Sequence, residues 1–187
     1  GVMRTAGDWI TNGILWLHDT LGVVGGFIFG FIYAPLTMTG MHHSLLPVDI
    51  QLIAAGGSFL FAIAACNNVA QGGAALAIAL KTKDTNKKAL ASSAGITAIC
   101  GITEPALYGV TLQNKAALIG SIVAGGVGGF FLGILGARNF AGGSPGLLTI
   151  AAYIGEDTLK YFYTAIAGLV ISVVVSFIVT FILYKED

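Results

Sequence analysis

Long stretches without a charged side chain constrain this chain more than any other feature. Uncharged runs separate Asp19 from Asp49, Asp49 from Lys81, Lys115 from Arg138, and Lys160 from Lys185. Each can supply the ~20 apolar residues that cross ~30 Å of hydrocarbon. A soluble domain carries charge at about a quarter of its positions. Here nine basic and nine acidic residues are spread over 187, with 56% hydrophobic side chains and a mean hydropathy of +0.86. Several helices apolar all round would leave too little polar sequence to cover them in water, so the bilayer is the expected solvent. The predicted fold is all-α: a polytopic membrane protein with transmembrane helices and at least one re-entrant hairpin.

Charge and cysteine usage exclude other classes. The net charge is zero and no basic tract is interleaved with aromatics, which argues against a nucleic-acid partner. Cys66 and Cys100 lie far apart in apolar surroundings and form no C-x-x-C pair. They read as small buried hydrophobes, and no metal site, redox motif or cofactor is expected. The opening residues, Gly1 to Gly13, lack the pattern of a signal peptide, so the chain is expected to start in mid-protein.

Periodicity then divides the chain. Asp8 to Leu21 places Trp9, Ile10, Ile14, Leu15, Leu17 and Leu21 at helical spacing between polar residues, predicting an amphipathic interfacial helix. Gly22 to Thr39 is a Gly-rich span that ends at Ala34-Pro35 and a polar turn through His42-His43. Val48 to Leu80 would be ~50 Å long as one helix, more than the hydrocarbon is thick. A break is therefore predicted, at Asn67-Asn68 with Gly72-Gly73. Lys81 to Lys88 holds four of the nine basic residues, which places this loop in the cytoplasm.

Ala89 to Asn114 is interrupted by Gly101-Ile102-Thr103-Glu104-Pro105, leaving two arms too short to span; a re-entrant hairpin with that motif at its tip is predicted. Ala116 to Gly136 is a Gly-rich span, Ala141 to Asp157 a turn-rich loop, and Tyr161 to Tyr184 a final span. Counting from the lysine loop, the hairpin and two spans return Lys185-Glu186-Asp187 to the cytoplasm.

Glu104 is the most informative residue, being the only acidic side chain between Asp84 and Glu156 and lying in an apolar segment. A carboxylate at membrane depth costs several kcal/mol unless paired or hydrated, and a broken backbone is tolerated only against protein or a watery cavity. Ligand contact is the expected role, with Gly101 allowing close backbone approach and Pro105 ending the first arm. His42 and His43 lie just past another span, where imidazoles can donate to hydroxyls or serve as ordinary turn residues. Asn67, Asn68 and Gln71 can bind a polyhydroxylated ligand or join helices by hydrogen bonds.

At these positions the chain resembles a known family. Gly101-Ile102-Thr103-Glu104-Pro105 is similar to the G-[IV]-T-E-P signature of IIC proteins in the glucose-glucoside superfamily of the bacterial phosphotransferase system. Gly40-Met41-His42-His43 resembles that family's G-x-H-H signature. Asp49-Ile50-Gln51-Leu52-Ile53 and Asn68-Val69-Ala70-Gln71-Gly72 are similar to its sucrose, trehalose and glucoside branch. The resemblance runs over essentially all of residues 1–187 and implies the C-terminal, sugar-binding part of a IIC membrane domain.

Several further expectations follow from it. Glu104 and His42 contact the sugar, with His43, Asn67, Asn68, Gly101 and Thr103 as further binding positions. Glu104 orients the sugar hydroxyl that accepts the phosphoryl group from a phosphorylated IIB domain. The scaffold half of IIC, through which such permeases dimerise, is absent, as are IIB with its phosphocysteine and IIA with its phosphohistidine; the implied location is a bacterial plasma membrane, crossed several times. Where glucose and maltose members carry an arginine this chain has Ala34, which favours the glucoside-type branch. Two other classes stay open on the residues alone: an ion-coupled transporter in which Glu104 carries a proton, and a membrane assembly or sensor subunit that keeps the hairpin for packing.

Overall fold

The computed structural model describes Trp9, Trp16, residues 23–155 and residues 159–186. The predicted interfacial helix at Asp8 to Leu21 otherwise falls outside the described residues. Among the described residues seven α-helices follow in order: α1 (Val23–Met38), α2 (Leu46–Ala54), α3 (Leu60–Lys81), α4 (Thr85–Cys100), α5 (Glu104–Ala106), α6 (Lys115–Leu135) and α7 (Lys160–Leu183). A 3-10 turn at Met41–Leu45 joins α1 to α2, α5 runs on into a π turn at Leu107–Thr111, and a second 3-10 segment covers Leu147–Tyr153. No strand occurs among the described residues, so the all-α membrane fold is as predicted.

Three of these helices, α3, α6 and α7, are long and apolar enough to cross a membrane. α1 is shorter, about 24 Å at 1.5 Å per residue. α3 is the centre: its span is almost wholly buried, and it packs on α4, α6 and α7 while α1 packs on α6. α7 is the opposite case. Ile166, Val170, Val174, Ile178 and Ile182 form an exposed apolar stripe at a spacing of four, the face a lipid-bathed helix turns outward. Its inner face carries Ala165, Gly168, Ser172, Ser176 and Thr180, small enough for close approach, and Ser176 Oγ donates to the Ala70 carbonyl at 2.5 Å.

The break in Val48 to Leu80 lies elsewhere than predicted. α2 stops at Ala54 and α3 starts at Leu60, with Gly56 and Gly57 between them at φ +113° and +123°. Those angles belong to glycine, which is why the chain turns here. Through Asn67-Asn68 and Gly72-Gly73 α3 is continuous. Asn67 Nδ2 donates to the Ile63 carbonyl one turn back and so does not disrupt the helix. The glycine pair serves packing instead: a Cβ on Gly72 would lie 2.8 Å from the Gly95 carbonyl oxygen of α4, and one on Gly73 2.4 Å from the Val173 carbonyl oxygen of α7.

The hairpin forms where the motif predicted it. Gly101, at φ +112°, ends α4, and Pro105 stands in the first turn of α5, where its missing N–H costs nothing. The lysine loop and the C-terminus meet at one end of the bundle. Glu186 Oε1 accepts from Thr82 Oγ1 at 2.6 Å and from the Lys83 N–H at 2.7 Å, and Lys81 Nζ donates to the Phe181 carbonyl at 2.6 Å.

Candidate functional site

Two interruptions of helix, the turn that carries the histidines and the hairpin that carries Glu104, face one cavity. It measures about 330 Å³ and is lined by His42, His43, Asn68, Gly101, Thr103 and Glu104, together with Tyr33, Asp49 and the loop Gly143-Ser144-Pro145. Six of the eight polar and glycine positions singled out in the sequence thus line one cavity. Asn67 does not: it is one residue, or about 100° of helix, from Asn68. Its Oδ1 faces α6, where a Cβ on Gly125 would come within 2.2 Å of it. Gln71 is buried in α3 and is likewise not part of the lining.

Each wall has a local cause. Gly40, at φ +73°, turns the chain out of α1 and into the 3-10 segment that presents both imidazoles, whose ring centroids are 4.0 Å apart. Nδ1 of His42 is buried with no hydrogen-bond partner among the described residues. Burial lowers the pKa of His42, its neighbour His43 lowers it further, and the Leu36 carbonyl and the Glu104 carboxylate oppose the shift. The ring is therefore neutral near pH 7, with one nitrogen donating and one accepting. At the hairpin tip Thr103 is buried and Glu104 is exposed.

Sequence reasoning missed the third wall. The loop after α6 reaches back to the hairpin: Ser144 Oγ donates to the Gly101 carbonyl at 2.7 Å, and Asn68 Nδ2 donates to the Pro145 carbonyl at 2.7 Å. The Gly146 backbone lies so close to Gly101 that a Cβ on Gly146 would sit 2.5 Å from the Gly101 Cα. The Gly142 to Gly146 run was legible as a turn, and only its destination was not. Asp49 was also missed as a site residue. It is buried at 7% exposure, accepts the Ser58 hydroxyl and the Phe61 N–H, and faces the same cavity.

The cavity can hold a neutral, hydroxyl-rich molecule. Its described lining offers two carboxylates, two imidazoles, one phenol, one carboxamide and two aliphatic hydroxyls, and no lysine or arginine. Such a donor and acceptor set suits hydroxyl groups and disfavours anions. Among the described residues no cluster of histidine, cysteine or acidic side chains has the form of a metal site. Cys66 is buried within α3 and Cys100 is half-buried at the end of α4; both are free thiols.

Comparison with known proteins follows the same direction. The model of the phosphotransferase system EIIC family matches residues 1–125. The chain is 43% identical over 159 residues to the sucrose-specific EIIBC component of Staphylococcus xylosus, covering 82% of this chain and 33% of that protein. It is 40% identical over 188 residues to the sucrose-specific EIIBC component of Vibrio alginolyticus, covering 98% and 38%. The trehalose-specific EIIBC component of Bacillus subtilis strain 168 is 36% identical over 180 residues, covering 94% and 37%. This chain therefore spans little more than a third of the length of these relatives. No solved structure matches it. A family match over two thirds of the residues, and relatives aligned along nearly the whole chain, establish that it belongs to the EIIC family of the phosphotransferase system.

Proposed function

We propose that this chain is the sugar-binding and translocating part of a phosphotransferase-system permease of a bacterial plasma membrane, carrying a disaccharide or glucoside. The observation that carries this reading is a cavity with no lysine or arginine among its described lining residues, built at two helix breaks and lined by His42, Asn68, Thr103 and Glu104. Binding at broken helices within a membrane bundle is what transport of a polar solute requires, because free backbone groups are tolerated there only against a cavity. The sucrose and trehalose specificities in the names of the relatives support the substrate class.

In this reading the sugar enters from outside, its hydroxyls held by Glu104 and neutral His42. Movement of the bundle against the scaffold half of IIC, through which the permease dimerises, carries it inward. Glu104 then orients one hydroxyl toward the phosphocysteine of IIB. The S–P bond breaks as the O–P bond forms, the cysteine leaves as a thiolate, the hydroxyl proton passes to that thiolate or to water, and the product is trapped as a sugar phosphate. Positioning is the main demand, since phosphoryl transfer depends on alignment and charge stabilisation.

The test is uptake of labelled sucrose and trehalose by the intact permease, with and without phosphorylated IIB. Accumulation as sugar phosphate that requires IIB, and that Glu104→Gln abolishes while membrane insertion is retained, is the expected result. Accumulation of free sugar driven by a proton gradient would overturn it in favour of an ion-coupled transporter.

A further inference from the structure

A second cavity, of about 270 Å³, lies at the end of the bundle away from the lysine loop. α3 and α7 begin at that end and run to Lys81 and Leu183, and α6 ends there. The cavity takes Phe59 and Ile63 from the start of α3, a face distinct from the one that Leu60, Phe61, Ala64 and Asn68 present to the first cavity. Gly26 of α1 and Gly133 and Gly136 at the end of α6 leave room for it.

The lining is divided by chemistry. Ile63 and Leu132 are buried and, with Phe59 and Leu135, make an apolar floor, whereas Arg138 and Lys160 are exposed beside Tyr161. The described lining holds no carboxylate. Lys160 has a further contact of its own, which its three donors allow. The first turn of α7 adds the positive end of its helix dipole.

Arg138 is held in place rather than trailing from a loop. Gly136, at φ +62°, ends α6, and the Ala137 N–H donates back to the Leu132 carbonyl at 3.1 Å. The Ser58 and Asn139 backbones exchange hydrogen bonds of 2.9 and 3.0 Å, and the Phe140 N–H donates to the Ala152 carbonyl at 2.7 Å. The Phe140 ring packs on Tyr161 at 5.7 Å between centroids. A cation that only snorkels to the membrane surface needs no such frame. One fixed on both sides, and set over an apolar cavity at the end of three membrane-length helices, is placed for an amphiphile with a negative head.

We infer that Arg138, Lys160 and Tyr161 form a binding site for one anionic phospholipid. Its phosphate lies between the two cations, and its glycerol and the first carbons of an acyl chain cover the apolar floor, which a free phosphate would leave bare. With the lysine loop in the cytoplasm, the lipid belongs to the outer leaflet. The site follows from the membrane fold and does not depend on the proposed sugar.

The experiment is native mass spectrometry on the intact purified permease, titrated with phosphatidylglycerol or phosphatidylcholine. Both lipids carry a phosphate, and only the first has a net negative charge. The wild type should retain one phosphatidylglycerol per chain, with an affinity at least about tenfold above that for phosphatidylcholine. Arg138→Gln and Lys160→Gln should each lower it about fivefold, the worth of one basic residue beside an anionic lipid. Lys88→Gln, at the other end of the bundle, should leave it within about twofold. Leu135→Trp, which fills the floor and keeps both cations, should weaken it as much as the charge variants do. Equal retention of the two lipids, or an unchanged affinity when Arg138→Gln and Lys160→Gln are combined, would overturn the inference. A wild type that retains no lipid would overturn it too, and would mean that another part of the longer permease covers the cavity. Displacement of phosphatidylglycerol by millimolar inorganic phosphate would mark a site for soluble anions and overturn it as well. Should Leu135→Trp fail to fold, the two charge variants decide.

Discussion

Ser144 Oγ and the Gly101 carbonyl, 43 residues apart in sequence, are joined by a hydrogen bond of 2.7 Å that ties the loop after α6 to the tip of the Glu104 hairpin. Gly101 is in the left-handed region and Gly146 packs directly against it, so the tip is held by one donor and by close backbone contact. Ser144→Ala removes the donor and keeps the contact. The expected loss is about 1 kcal/mol of stability, the usual net worth of one hydrogen bond. Sugar affinity should fall with it, because the bond fixes the peptide three residues before Glu104. Thermal unfolding and calorimetry on the same preparation check both, and Ser144→Thr should restore most of the affinity.

A second prediction concerns how α1 is held. A Cβ on Gly30 would sit 2.2 Å from the Gly125 carbonyl oxygen of α6, and one on Gly129 2.2 Å from the Gly26 carbonyl oxygen. Backbone meets backbone here, and no side chain can move aside. Gly30→Val should therefore cost about 3 kcal/mol or more, the upper range of overpacking, and be seen as loss of folded permease in detergent. Gly142→Ala is the control, since nothing lies within 4 Å of a Cβ there, and it should change stability by less than about 0.5 kcal/mol.

The latch between the lysine loop and the C-terminus gives a prediction about sidedness and pH. Thr82 and Lys83 both bond Glu186, so these two segments share one face of the membrane, and the lysine excess assigns that face to the cytoplasm. Cysteines placed at Thr85 and at Lys185, in a background lacking Cys66 and Cys100, should react with impermeant thiol reagents only in inverted vesicles. Labelling of either one in intact cells would refute the assignment. The Thr82 hydroxyl, and after it the Lys83 N–H, hold the Glu186 carboxyl below its usual range. A depressed carboxyl stabilises above its unfolded value, about 4.3, and loses that contribution as the pH falls through its lowered folded value. The latch should thus be intact at neutral pH and open as the pH falls below the ordinary carboxylate range, whereas Glu186→Gln should raise labelling at Thr85 at every pH.

Much of this architecture was legible in the residues because charge spacing and glycine punctuation act locally. The hairpin at Gly101 to Pro105 and the spans at α6 and α7 follow from apolar runs bounded by charge or broken by proline. What could not be read was direction. Asn67 and Asn68 are equivalent by composition, yet one turns to α6 and the other to Pro145, a difference set by how α3 is rotated within the bundle. Gly72-Gly73 and Gly56-Gly57 are the same dipeptide with opposite uses. The first pair lets two helices touch α3, and the second adopts positive φ and ends α2, and only the neighbours in space distinguish them. Asp49 looked like one more charge marking the end of a span, because its partner Ser58 lies beyond the break.

The most decisive prediction joins Glu104 to His42. They stand 62 residues apart, one beside a glycine-ended helix and the other in a 3-10 turn, and both line the cavity of about 330 Å³. A lining shared by the two lets one ligand reach both. A sugar hydroxyl donating to the carboxylate and another engaging the neutral imidazole would couple them through the same ring. Loss of one charge-assisted hydrogen bond costs roughly 1.5–3 kcal/mol, or about ten- to a hundredfold in affinity. Glu104→Gln should show that loss in calorimetry on the intact permease, and His42→Ala a loss nearer 1 kcal/mol, because its bond is neutral. The double variant should lose less than the sum, since groups that hold one ligand together give non-additive losses of about 0.5–3 kcal/mol. Strict additivity would mean that the two residues act on the sugar independently. Unchanged affinity in His42→Ala would remove the imidazole from the site and leave Glu104 with other polar groups that line the cavity, Asn68 and Thr103 among them.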